Sequence, residues 1–216
     1  IASHELLSVS KLLFDAYASR LKLIEVVRHP IHLFNNVRDY TATFERSREF
    51  TLSFEKNGVK IPWFASTWAE EFAKASIADR ALLSIARMQK AMIESIDQIK
   101  KSGNPILVLS FENTVLNPKD ALLKLENFLV RAPTKLTKRV FKQQSLPRAQ
   151  ISAGKATSSF SFNSSGSTSE SEIYEKIASE ISSTGSVSAV NEFRSAIATY
   201  NSHWLSPLAD LESTWI

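Results

Sequence analysis

Two short apolar runs limit what this chain can become. Residues 21–27 read LKLIEVV and residues 106–110 read ILVLS. The second lacks the alternation of a strand with one wet face, so it needs cover on both faces, and a parallel sheet between helices supplies that. Residues 5–20 place apolar side chains at helical spacing before the first run, and Pro30 suits the opening turn of a helix after it, because its missing N–H has no partner there anyway. Helix, strand, helix is the beginning of an α/β unit.

The rest of the chain is consistent with that class. Residues 50–64 hold two strand-like runs around Lys56-Asn57-Gly58, the tightest hairpin signal available, because Asn and Gly both tolerate positive φ. Short and long helices are expected over 67–75 and 78–101, with Leu82, Ile85, Met92, Ile96 and Ile99 on one face of the longer. Asn117-Pro118 opens a helix to residue 129 whose buried stripe is Leu122, Leu125, Phe128 and Leu129. Further helices are expected over 135–142, 170–182 and 187–204. Residues 157–171 carry eight serines and no cation, which reads as a flexible loop inside a single domain spanning 1–216.

Composition removes several function classes. The 216 residues include no cysteine and four histidines, which excludes disulfides and thiolate chemistry and argues against a metal site. No apolar run reaches the roughly 18 to 20 residues that cross a bilayer. The expectation is a cytoplasmic, soluble protein without a membrane partner. A net charge of +4 is too mild and too dispersed to indicate nucleic acid, yet it favours an anionic ligand.

The place for such a ligand follows from the first strand. Ligands of open α/β sheets sit beyond the carboxyl ends of strands. Arg28 stands there, directly before a helix start, with planar donors suited to phosphate. Asn36, eight positions on, offers an amide from the second turn. The competing reading makes Arg28 a cap on a carbonyl or the partner of a surface acid.

These residues also carry a resemblance. The stretch KLIEVVRHPIHLFNN, with ILVLSFENTVLNPKDALLKLENFL much later, resembles the sulfotransferase superfamily, which moves a sulfuryl group from 3′-phosphoadenosine 5′-phosphosulfate to a hydroxyl or amine. The resemblance covers about half the chain. It implies a three-layer fold of the P-loop-kinase type, with a mostly parallel central sheet flanked by helices. It implies that Arg28 and Asn36 hold the 3′-phosphate and that Phe111, where relatives have Tyr, lies beside the adenine. His4, within Ser3-His4-Glu5-Leu6, matches the family's general base, and a neutral imidazole near pH 7 suits that task. Trp63 and Phe64 fall where the family binds its acceptor, such as a carbohydrate, although aromatics there also anchor a hairpin to a core. Lys155 is the nearest stand-in for the family's closing cationic loop.

The departures define an alternative. The family's phosphate-cradling loop has no counterpart in these residues, and by family order it precedes His4. Two strands are also too few to cover one another. An upstream segment or a companion chain is therefore expected to complete the sheet. The alternative function is a catalytically silent relative that binds a partner. A kinase of related topology is disfavoured, because no metal-binding acid is evident after a strand.

Overall fold

The computed structural model describes residues 6–17, 20–44, 52–151, 155–156, 162–163 and 169–204. The chain is α/β. Helix α1 (Leu6–Tyr17) leads into strand β1 (Leu23–Val27), a 3-10 turn (Pro30–Leu33) and helix α2 (Phe34–Thr43). A hairpin follows, β2 (Ser53–Lys56) and β3 (Val59–Pro62), turned by Asn57 and Gly58 at φ of 54° and 75°. Both central residues are left-handed, as a two-residue turn matched to strand twist requires. A second 3-10 turn (Trp63–Trp68) and α3 (Ala69–Lys74) precede the long helix α4 (Ile77–Lys101). Ser76 caps α4 by accepting the Asp79 N–H, and Gly103 at φ 71° turns the chain into β4 (Ile106–Ser110).

Strands β1 and β4 pair in parallel, Leu23 opposite Ile106 through Val27 opposite Ser110. The expectation of a larger central sheet differs from what is observed: among the described residues this parallel sheet has two strands. Its cover is correspondingly thin. Leu23 and Val27 are buried, but Val26 is 54% exposed. On the buried side Leu23 meets Phe14 of α1 and Ile99 of α4.

After β4 the chain turns at once into α5 (Phe111–Leu116), then α6 (Pro118–Leu129) and α7 (Lys135–Gln143). Ser110 starts α5 by accepting the Asn113 N–H, so Phe111 and Glu112 lie in the first turn of a helix that the sequence patterns do not mark. The expected stripe of α6 is only half-buried, with Leu129 40% exposed, because two strands present too little surface to cover it. A two-residue strand β5 (Lys155–Ala156), just before the serine-rich region, pairs with β6 (Phe162–Asn163) inside it, and most of that region lies outside the described residues.

The core is helical. Helices α8 (Glu170–Thr184) and α9 (Val187–His203) pack with α4 and the start of α2 around Ile31, Phe34, Leu82, Ile181, Phe193 and Ile197. Ser169 and Glu172 close a reciprocal capping box at the head of α8. Arg87 of α4 spans Glu71 of α3 and Glu192 of α9 and lies 4.5 Å over the Trp68 ring, tying the hairpin side to the helical core.

Candidate functional site

The residues after β1 are held from three directions. His29 is fully buried and caps the 3-10 turn by accepting the Ile31 N–H on Nδ1 at 3.3 Å, which places its proton on Nε2. Its backbone N–H donates to Glu112 Oε1 at 3.0 Å. The other oxygen of Glu112 accepts the Tyr200 hydroxyl at 2.7 Å and the Ser110 hydroxyl at 3.1 Å. A carboxylate with no exposed surface is thus surrounded by donors from β4, α9 and the turn after β1.

This anchoring leaves Arg28 facing α5. Its guanidinium lies 4.9 Å over the Phe111 ring. No ion pair joins it to a carboxylate among the described residues, and its buried Nε has no hydrogen-bond partner. Burial lowers its pKa from the ordinary value, against the pull of Glu112 and Glu170. A second guanidinium stands against the same ring: Arg148 is 9% exposed, with its carbon 5.7 Å from the Phe111 centroid. Its backbone N–H donates to the Val115 carbonyl and its Nε to the Gln144 carbonyl. Burial lowers its pKa, and the nearby charge of Arg28 lowers it further. Two cations that repel each other over one aromatic ring make a place where a dianion relieves electrostatic strain.

Acids and imidazoles frame this pair. His32 lies 3.7 Å from Glu170 Oε1, but burial, then the neighbouring His29, push its pKa down to about 4, so it is neutral at physiological pH. Glu170 spends its other oxygen on the Ile151 N–H at 2.9 Å. The His29 ring packs edge-on against Tyr200 at 5.0 Å and against His32 at 5.9 Å.

The sequence-derived candidates distribute unevenly over this geometry. Arg28 and Phe111 are brought together. Asn36 has an exposed side chain on α2, whereas the preceding Asn35 is half-buried with an Oδ1 that lacks a partner. Counting eight positions from Arg28 assumed one continuous α-helix from Pro30, but the first four residues wind as 3-10, at three residues per turn, which shifts the phase. Trp63 and Phe64 are half-buried, 6.0 Å apart edge to face, and Phe64 packs on Ile61, Ala65 and Phe72 beneath the hairpin. His4 lies outside the described residues, as does the side chain of Lys155. Arg148 was not singled out. The signal for it was the order of the chain, an arginine just after Leu146-Pro147 and before the serine-rich run.

Two cavities are lined by residues of α5 and α6. One of about 240 Å³ is lined by Ser110, Asn113, Thr114, Lys124, His203 and Trp204. Another of about 560 Å³ is lined by residues that include Leu116, Pro118, Phe141 and Pro147. Arg28 lines neither.

Comparison with protein-family models, with curated proteins and with solved structures finds no match to the chain.

Proposed function

We propose that the chain is a sulfotransferase domain that takes 3′-phosphoadenosine 5′-phosphosulfate as co-substrate and transfers its sulfuryl group to a hydroxyl acceptor such as a carbohydrate. The observation that carries this reading is Arg28, a half-buried guanidinium at the carboxyl end of a parallel strand with an unpartnered Nε and an aromatic ring beneath it. Arg148 adds a second cation suited to the doubly charged 3′-phosphate. Phe111 offers a ring for the adenine. In this reading Asn36 and Lys155 assist in holding the co-substrate, Trp63 and Phe64 face the acceptor, and no metal takes part. His4 takes the acceptor's proton as the hydroxyl oxygen attacks sulfur and the bond from sulfur to the 5′-phosphate oxygen breaks. An upstream segment or companion chain supplies the loop that grips the 5′-phosphate and strands that enlarge the sheet.

The half-exposed Val26 and the thin two-stranded sheet also favour a second reading, a catalytically silent scaffold of the same class that binds a partner. Calorimetry with 3′-phosphoadenosine 5′-phosphate separates the two. Saturable heat, with an affinity that Arg28→Ala weakens about a hundredfold, supports the enzyme reading, the loss expected for a charged hydrogen-bonding pair. Absence of heat, or equal heat from the variant, rejects it.

A further inference from the structure

The charge of the chain is not dispersed. From residue 127 to residue 169 the sequence contains seven Lys or Arg and no Asp or Glu. Helix α7 lies in the middle of this stretch, and none of its residues is buried. At 100° per residue, Leu136, Val140, Thr137 and Phe141 fall on one side and Lys135, Lys138, Arg139 and Lys142 on the other. Leu136 is 64% exposed and Val140 48%. Phe141 turns toward the 560 Å³ cavity with Leu116 and Pro147, so the apolar side of α7 is not sealed against the body.

Just before α7 the chain presents another apolar side chain at some cost. Val130 ends α6 in the left-handed conformation, φ 56° and ψ 46°, and is 77% exposed. Glycine takes that conformation freely, while a β-branched residue rarely adopts it. An exposed valine kept there, beside the exposed Leu129, suits contact with something apolar.

We propose that α7, together with Val130, is a docking surface for an anionic lipid bilayer. The proposal commits to lipid because the patch combines two features. A basic face complements an anionic leaflet, and large aliphatic side chains on the adjoining face suit shallow insertion among acyl chains. A hydrophilic polyanion uses only the first. The earlier expectation of no membrane partner rested on crossing segments, and surface binding needs none. This inference does not rest on the proposed co-substrate site.

Sedimentation of the full chain with vesicles tests it. The protein is expected to pellet with mixed phosphatidylcholine–phosphatidylserine vesicles, to stay in solution with pure phosphatidylcholine, and to be released by salt. Lys138→Gln with Lys142→Gln weakens binding about fivefold per charge removed. Leu136→Ser with Val140→Ser, at exposed positions that leave the circular dichroism melt unchanged, weakens it about tenfold. Failure to pellet with the mixed vesicles overturns the proposal, and so does equal binding to neutral vesicles. Serine variants that bind like wild type also overturn it, and they point instead to a charge-only partner such as RNA.

Discussion

Glu112 Oε1 accepts the backbone N–H of His29 at 3.0 Å across 83 residues of sequence. That bond joins the first residue of the turn after β1 to the helix that follows β4, and so positions Arg28 over Phe111 between them. The carboxylate has no exposed surface and accepts from three groups, so its removal takes one hydrogen bond from each.

Glu112→Ala is therefore expected to cost about 3 kcal/mol or more in urea denaturation, the range for a buried charged acceptor whose partners lose their bonds. Tyr200→Phe alone costs about 1 kcal/mol. The double variant loses little beyond Glu112→Ala, because the bond that Tyr200→Phe removes is already lost. Strict additivity would show that the two residues do not act together.

Arg28 predicts a trade between stability and binding. Its guanidinium is partly desolvated, lacks an ion-pair partner among the described residues and stands near Arg148, so Arg28→Met is expected to raise stability by about 1 kcal/mol. Inorganic sulfate should raise the melting temperature of wild type and leave that of the variant unchanged. A variant less stable than wild type would mean that the arginine serves the fold.

His32 makes stability depend on pH. Its folded pKa, about 4, lies below the ordinary 6.5, so the unfolded chain binds the proton more readily in between. The contribution is complete above pH 6.5 and declines as pH falls, and the loss reaches about 3 kcal/mol by about pH 4. Denaturation midpoints across that window should fall more steeply for wild type than for His32→Gln. Parallel curves would refute the assignment.

Gly185, between α8 and α9, sits where a methyl group has no room. An added Cβ would lie 2.7 Å from Leu82 Cδ1, 2.8 Å from Val190 Cγ2 and 3.0 Å from the Ile181 carbonyl oxygen. Its backbone is extended, φ −85°, so the cost of Gly185→Ala is steric alone. About 1 to 3 kcal/mol should be lost, read as a lower melting temperature. An unchanged melt would mean that the helix junction opens without penalty.

Local patterns were legible wherever a short stretch settles its own backbone. Residues 106–110 form the predicted strand, Asn57-Gly58 makes the hairpin turn, and Pro118 starts α6 where the proline indicated. Helix ends came within a few residues for the same reason, since caps and breakers act on neighbours. The stripe of α6 was misjudged because periodicity marks which side is apolar and says nothing of how much surface awaits it. The α5 turn was missed because Phe111 and Glu112 continue the strand in composition while Ser110 already caps a helix.

The sequence by itself determined the α/β alternation, the continuous apolar run that marks β4 as a strand of parallel type, and the presence of an arginine at the end of β1, because each depends on neighbours a few positions apart. Tertiary structure alone decided that Arg28 and Arg148 meet at one phenyl ring, that Tyr200 reaches Glu112, and that Asn35 rather than Asn36 carries the buried amide. Those outcomes depend on how distant segments close on one another and on a 3-10 turn that shifts the phase of the helix after it. Side-chain periodicity does not encode either.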